Sequence, residues 1–267
     1  MGSAEIIPVK TWEDCEKRLR KLEAKHSTPS TRCWFRGHSR RDWRLKTTLE
    51  RRYAAQFSVG QYFDLMTQTL PLVENFTGGT WPEPKWEKFE GRFNRYFLAN
   101  GALSYMAYLR HHGFPSPFLD WTSSPYIAAY FAFAEARRVD TETQPDPMVA
   151  IFAYSETPNH VKTSKSDGPF IVTHGGFGLR THTRHFQQKS CYTVCVEKRD
   201  DIWWFVPHQQ VFDYGDGIQD KLYKIEIPYS ERVKALTFFD KFNLNHVSLF
   251  GSAESLMETL AFRFIDK

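Results

Sequence analysis

The stretch GFPSPFLDWTSSPYIAAYFA at residues 113–132 constrains the fold more than any other part of the chain. Pro115 and Pro117 end the helical pattern before them, because proline removes a helical hydrogen bond and clashes with the preceding turn. The short apolar run at 118–121 predicts a buried strand. The Ser-Pro pair at 124–125 is typical of a helix N-terminus, where serine caps a free N–H group and proline lacks one. The stretch therefore predicts a buried strand followed at once by an apolar helix.

The remaining segments alternate between helical and strand patterns. Residues 11–25 begin with a capping threonine and repeat apolar side chains at helical spacing, and residues 31–37 predict a short strand that ends at glycine. A long helical pattern covers 47–112, with expected breaks at Pro71 and at 78–84. The rest of the chain predicts strands at 148–154, 191–197 and 221–228, a loop at 157–190, and helices at 230–239 and 252–265. Helices with scattered strands predict an α+β fold in a single domain over 1–267.

Composition sets limits on partners and on location. The net charge of +4 and the pI near 8.8 allow an anionic partner without requiring one. The 23 Phe, 12 Tyr and 8 Trp belong either to an aromatic core or, in part, to a pocket for a flat ligand ring. Cys15, Cys33, Cys191 and Cys195 lack the short paired spacing of a zinc site. No secretion signal or membrane-spanning run is present, so we expect a reduced, cytoplasmic protein without a membrane partner.

Basic residues form two local runs, at 36–44 and at 180–185. A charge run is usually a solvated face, and that interpretation stays open. The alternative is contact with the phosphates of a nucleic acid. The candidates for that contact are Arg40, Arg41, Arg44 and Arg184.

Four segments resemble the FRG domain family, which is named for the Phe-Arg-Gly that stands here at 35–37. They are WFRGH at 34–38, HHGFPSPFLDWTSSPYIAAYFA at 111–132, RHFQQKSCYTV at 184–194 and NLNHVSLFGSAESL at 243–256. The resemblance covers roughly 31–260. It implies a core over that range, preceded by an N-terminal helix in 1–30 and interrupted by a helical insertion at 47–112.

A further resemblance, to ADP-ribosyltransferases of the Arg-Ser-Glu type, concerns the order of these segments. Those enzymes have an aromatic-Arg-Gly strand, a helical insertion, and a Ser-Thr-Ser-like strand end whose next helix carries Ala-x-x-Phe. Here Arg36-Gly37 fits the first element and Thr122-Ser123-Ser124 fits the strand end. The resemblance implies a central mixed β-sheet, with the insertion between its first and second core strands. It also implies NAD as the substrate, and a nucleic acid or protein as the acceptor. Such an effector acts as a toxin or an antiviral defence component, with an antitoxin as a further partner.

The chemistry of NAD suits the residue types in the first two motifs. Arg36 is expected to bind the pyrophosphate through a bidentate, charge-assisted contact, and Gly37 to let the ligand approach the backbone. The hydroxyl groups of Thr122 and Ser123 are expected to hold a ribose or orient the arginine. The helix start at Ser124 favours an anion.

A second set of candidates would complete such a site. Gln188 is the expected hydrogen-bonding partner of the ribose, although a transferase of this class requires a carboxylate there to stabilise its transition state. Glu197 and Asp120 are the substitutes for that carboxylate. The aromatic residues expected to stack on a ligand ring are Trp34, Trp121 and Tyr126.

Three alternatives stay open at this point. In the first, Arg36 is a structural arginine bound to Asp120, and Thr-Ser-Ser-Pro is a helix cap. In the second, the chain is a non-catalytic module that binds a nucleotide or an RNA end in the same cleft. In the third, the chain is a metal-dependent nuclease with His111, His112, Asp120 and His182 as ligands, although their spacing satisfies no ligand motif.

The transferase interpretation makes a geometric prediction. Arg36, Thr122 and Gln188 should lie on adjacent strands that face one cleft. His112 should bind backbone, and Asp120 should pair with Arg36 or cap the turn.

Overall fold

A computed structural model describes residues 4–28, 31–53, 56–84, 102–136, 147–156, 168–175, 183–214 and 220–266. The strands in these ranges are β1 Glu5–Pro8, β2 Arg32–His38, β3 Leu119–Thr122, β4 Met148–Glu156, β5 Phe170–Gly175, β6 Ser190–Arg199, β7 Ile202–Phe205 and β8 Lys221–Pro228. The helices are α1 Trp12–His26, α2 Thr48–Arg52, α3 Val59–Thr77, α4 Ala102–His111, α5 Pro125–Ala134, α6 Thr183–Gln187, α7 Gln209–Tyr214, α8 Arg232–Lys241, α9 His246–Phe250 and α10 Ala253–Phe264.

The described strands form one mixed sheet in the order β1-β8-β4-β2-β3-β6-β5, with β7 paired to β6. β1 and β8 are parallel, and the other neighbours are antiparallel. The predicted α+β class and central mixed sheet are therefore confirmed. The insertion lies between β2 and β3 as expected, and its described part contains α2, α3 and α4.

The sheet opens between β2 and β3. β2 pairs with β4 along its whole length, from Arg32 to His38. By contrast, β2 and β3 share a single residue pair, Phe35 with Thr122. Because backbone pairing stops there, the two strands leave space between them at the ends that carry Gly37 and Asp120.

Helix α5 packs directly on β2 because both elements present small residues at their contact. An ideal Cβ atom on Gly37 would lie 2.0 Å from the carbonyl oxygen of Ala128 and 2.5 Å from the backbone nitrogen of Ala132. Any side chain at this position would displace the helix. The sequence interpretation assigned Gly37 to the approach of a ligand, which stays a prediction; the close approach that the structure shows is made by the backbone of α5.

Several local predictions are confirmed by the caps and burial. Thr11 caps α1 by accepting from the backbone nitrogen of Asp14, and Ser124 caps α5 with Pro125 at its first position. The predicted strands agree with β2, β3, β4, β6 and β8 to within a few residues. Cys191 and Cys195 lie in the same buried cluster.

Other local predictions are wrong. Pro71 lies inside α3 and does not break it, since one face of that helix is buried from Val59 to Leu70 and outweighs the lost hydrogen bond. The predicted loop at 157–190 contains β5 and α6, and the N-terminal segment supplies β1 as well as a helix. None of the helices in the described ranges combines the length and the apolar composition that crossing a bilayer demands.

The contact at Gly37 predicts a large loss of stability on substitution. Gly37→Ala should lower the free energy of unfolding by about 3 kcal/mol or more, because the new methyl group meets backbone that cannot rotate away. Gly78→Ala is the matched control. Gly78 has a φ of 68° with open space around its Cβ position, so that change should cost about 1–2 kcal/mol from conformation alone. Urea unfolding measures both, and equal losses would contradict the packing argument.

Candidate functional site

The space between β2 and β3 belongs to a cavity of about 770 Å³. Basic side chains outnumber acidic ones among the described residues that line it. The basic residues are Arg36, Arg44, Lys46, Arg51, Arg110 and Arg184, and the acidic ones are Asp42, Asp120 and Glu135. Large aromatic side chains complete the wall, among them Trp43, Phe131, Tyr192 and Phe250.

Arg36 bridges the opening between the strands. Its Nη1 atom donates to the backbone carbonyl of Asp120 at 2.7 Å, and lies 3.8 Å from Oδ2 of the same residue. Its Nε atom donates to Nε2 of His38 at 2.9 Å. The guanidinium thus donates to a β3 carbonyl beyond the point where backbone pairing between β2 and β3 stops. A side-chain hydrogen bond stands there in place of a backbone one.

His38 is held neutral by this contact. Its Nε2 atom accepts from Arg36, so the ring carries its proton on Nδ1, which lies 3.4 Å from the carbonyl oxygen of Trp43. Burial, followed by the charge of Arg36, lowers the pKa of His38 to about 3. The imidazole therefore serves as an acceptor that fixes the plane of the guanidinium.

Asp120 is shared by two arginines. The predicted pairing with Arg36 is confirmed, and Arg110 from the end of α4 donates to Oδ2 of Asp120 at shorter range. Burial lowers the pKa of Arg36, and Asp120 opposes that shift. Sequence reasoning missed Arg110, although the basic pair Arg110-His111 at the end of a predicted helix was a visible signal.

The structure brings Arg36, Thr122 and Gln188 to one cavity, as predicted, but Gln188 lies in the turn between α6 and β6 and not on a strand. The hydroxyl of Thr122 donates to the carbonyl of Gln188 at 2.7 Å and accepts from the backbone nitrogen of Ser124 at 3.1 Å. The side-chain amide of Gln188 donates to the carbonyl of Leu249 at 3.2 Å. Both side chains therefore bind other groups of the protein. These hydrogen bonds account for the two residues without a ribose.

Ser123 and Ser124 do not line the cavity. The backbone nitrogen of Ser123 donates to the carbonyl of Lys189 at 3.1 Å. The hydroxyl of Ser124 accepts from the backbone nitrogen of Ile127 at 3.4 Å and caps α5. The helix-cap alternative thus accounts for this part of the motif.

Among the predicted stacking residues, Tyr126 and Trp34 are corrections, because neither lines the cavity. Tyr126 donates to Glu16 at 2.9 Å and packs against Phe238 and Phe239, so it faces α1 and α8. The indoles of Trp34 and Trp121 lie in one buried cluster.

Both indole nitrogens have protein acceptors. Nε1 of Trp34 donates to Glu156 at 3.2 Å, and Nε1 of Trp121 donates to Thr193 at 2.8 Å. Trp121 also lines the cavity, so its stacking role stays a prediction, whereas the indole of Trp34 is committed to the core.

The predicted nucleic-acid contacts divide into two sets. Arg40 makes a bidentate ion pair with Asp42, and Arg41 lies 3.9 Å from Glu226. Neither lines the cavity. Arg44 and Arg184 do, and the guanidinium of Arg184 lies 5.4 Å from the ring centre of Phe250.

The structure also corrects the expectation that Glu197 supplies a carboxylate to the site. Glu197 pairs with Arg199 and does not line the cavity. Glu135, directly after α5, lines it instead. Within the described ranges its carboxylate has neither a hydrogen bond nor a contact ion pair. Sequence reasoning missed Glu135, which lies just beyond the motif that ends at residue 132.

A family comparison covers the segment that carries these residues. Residues 31–141 match the model described as the FRG domain. This segment is similar to the FRG domain family. It contains β2, the insertion, β3 and α5, and therefore most of the cavity wall. No curated protein and no solved structure matches the chain.

The histidines in the described ranges form no metal centre. His111 and His185 both lie within hydrogen-bonding distance of the Tyr192 hydroxyl, at 2.8 and 3.1 Å. The ring of His112 packs on Tyr108 at 4.2 Å between centres, so the expected contact with backbone is wrong. His182 lies outside the described ranges, and among those ranges no three His, Cys, Asp or Glu side chains are grouped to hold a metal ion.

Asp120 should contribute to stability through its two arginines. Asp120→Asn removes the charge shared by Arg36 and Arg110, and should lower the free energy of unfolding by about 2 kcal/mol, less than for a fully buried pair. Asp42→Asn is the matched control, because it also removes a carboxylate from the cavity but breaks only an exposed pair with Arg40. That change should cost less than about 0.5 kcal/mol. Similar losses by urea unfolding would contradict the shared-pair account.

The neutral state of His38 predicts acid sensitivity. Its pKa is about 3 in the folded protein against a usual value of 6.5, so only the unfolded chain takes up this proton as the pH falls below 6.5. Stability is therefore lost from pH 6.5 downward. Between pH 7 and pH 5 this site should remove about 2 kcal/mol, and His38→Gln should reduce the measured pH-dependence by that amount. An unchanged difference between urea unfolding at the two pH values would contradict the assignment.

Proposed function

We propose that this chain binds a phosphate-bearing nucleotide in the cavity between β2 and β3. The observation that carries the proposal is the charge of the wall, where six basic side chains face three carboxylates. Converging cations of this kind favour an anionic ligand, and arginine is suited to phosphate oxygens. The cavity volume of about 770 Å³ lies in the usual range for small-molecule sites.

Aromatic side chains support the choice of a nucleotide over a simple anion. Trp43 is about two-fifths exposed at 43%, and Phe131 and Phe250 meet edge-to-face at 6.0 Å between ring centres. Rings in a partly open wall can pack against a base or a nicotinamide. In this proposal, these aromatic residues form the pocket for a flat ligand ring that the composition suggested.

NAD is the first nucleotide to test. The order of β2, insertion, β3 and α5 resembles that of ADP-ribosyltransferases, and an ADP-ribosyltransferase-like arrangement of the sheet is part of this proposal. NAD carries a pyrophosphate for the basic wall and two rings for the aromatic wall. An RNA end in the same cavity is the alternative ligand.

Transfer of ADP-ribose is a second candidate function, and Glu135 is the observation that favours it. In this reaction the bond between ribose C1′ and the nicotinamide nitrogen breaks, and nicotinamide leaves with the bonding electrons. A nucleophile of a protein or nucleic acid forms the new bond to C1′ and gives its proton to solvent. A carboxylate near C1′ stabilises the positive charge that develops, and Glu135 is the cavity carboxylate without a contact partner in the described ranges.

Calorimetric titration with NAD, combined with an assay of nicotinamide release, tests both candidates. NAD and ADP-ribose should bind and nicotinamide alone should not, because the basic wall recognises phosphate. Glu135→Gln should retain the affinity for NAD within about threefold while slowing nicotinamide release about 100-fold. Glu197→Gln is the control and should change neither, because Glu197 pairs with Arg199 and does not line the cavity.

The outcomes separate the candidates. NAD binding without nicotinamide release in the presence of cell lysate would reject transfer and keep nucleotide binding. Displacement of NAD by a short single-stranded RNA would favour the RNA-end alternative. Absence of binding by NAD, ADP-ribose and RNA would reject the proposal.

A further inference from the structure

The six cationic side chains of the cavity differ in whether another group of the protein contacts them. Arg36 and Arg110 share Asp120, and Arg184 packs over Phe250. The side chains of Arg44, Lys46 and Arg51 line the same cavity and make neither an ion pair nor a hydrogen bond within the described ranges. The positive charge that is still available to a ligand therefore comes from one short segment, residues 44–51.

Buried neighbours hold this segment in place. Leu45, Thr47 and Leu49 are buried at 2, 4 and 6% exposure, and they alternate with the exposed cations. The backbone nitrogen of Leu49 donates to the carbonyl of Ser116 at 3.2 Å, which attaches the segment to the chain that leads into β3. A solvated charge run would not require these anchors.

The one acidic residue inside the segment is used elsewhere. Glu50 accepts from the backbone nitrogen of Thr47 at 2.7 Å, and the hydroxyl of Thr47 accepts from the backbone nitrogen of Glu50 at 3.2 Å. This capping box turns the carboxylate toward the backbone at the start of α2. Glu135 acts on the electrostatics around Arg51 without making a contact pair, so it does not neutralise the group.

We propose that Arg44, Lys46 and Arg51 form the phosphate subsite of the cavity, and that this subsite takes a ligand with two or more adjacent phosphate groups. Arg36, Arg110 and Asp120 form the framework that keeps the cavity open. The inference rests on the proposed nucleotide-binding function and specifies which part of the wall recognises the ligand. A nucleoside diphosphate or the pyrophosphate of a dinucleotide matches three unpaired cations better than a single phosphate does.

Titration of ADP, AMP and adenosine against the parent and single variants tests the subsite. ADP should bind at least about tenfold tighter than AMP, and adenosine should bind weakest. Lys46→Gln and Arg51→Gln should each weaken ADP binding about tenfold, which is the loss expected for one charge-assisted contact. Because these side chains are exposed, the variants should fold like the parent.

A matched variant separates the subsite from general charge. Arg40→Gln removes an equal charge four residues before Arg44, but Arg40 is paired with Asp42 and does not itself line the cavity. It should change ADP affinity less than about twofold.

Each result decides between specific claims. An unchanged ADP affinity in the Lys46→Gln, Arg51→Gln double variant, with binding intact in the parent, would overturn the subsite and leave nucleotide binding standing. Absence of ADP and NAD binding by the parent would overturn the subsite and the proposed function together.

Discussion

Arg36 donates to the carbonyl of Asp120 across the place where β2 and β3 part, and the site depends on this hydrogen bond. A sheet that opens leaves backbone carbonyls without partners, which is costly when they are withdrawn from water. Arginine can reach across such a gap with several donors on one rigid plane. The same guanidinium is oriented by His38 and is paired in charge by Asp120. The opening can therefore persist, and a cavity follows from it.

Arg36 spans a gap between two strands, whereas the neighbouring Gly37 allows close packing. Gly37 brings the backbone of α5 against β2, so the sheet is covered tightly on one side at the residue where it opens beside β3. Arg-Gly thus combines a long donor and the smallest residue at successive positions of one strand. This gives a physical account of the motif that does not require a ligand to touch either residue.

The local pattern of the sequence was enough to predict the elements that surround the site. Ser124-Pro125 predicted the start of α5, and the apolar run before it predicted β3, because capping and burial act over a few residues. Which side chains face the cavity depends on strand register and on partners that are distant in sequence. Trp34 therefore appeared to be available to a ligand although the core buries it.

The same limit explains the residues that sequence reasoning missed. Arg110 reaches the site from α4, and Lys46 and Arg51 flank the buried Thr47 and Leu49. Their shared location follows from the insertion folding back onto β3, which no short-range pattern encodes. Thr122 is the reverse case, since its position was predicted but its hydroxyl is occupied by Gln188 and Ser124.

The central claim is that Arg36 supports the cavity while other cations bind the ligand. A crystal structure of the protein soaked with ADP tests it most directly. The account predicts phosphate oxygens at about 3 Å from Lys46 Nζ and from the guanidinium of Arg51, with the hydrogen bond from Arg36 to the Asp120 carbonyl retained. A phosphate bound bidentately by Arg36, with that hydrogen bond broken, would contradict it.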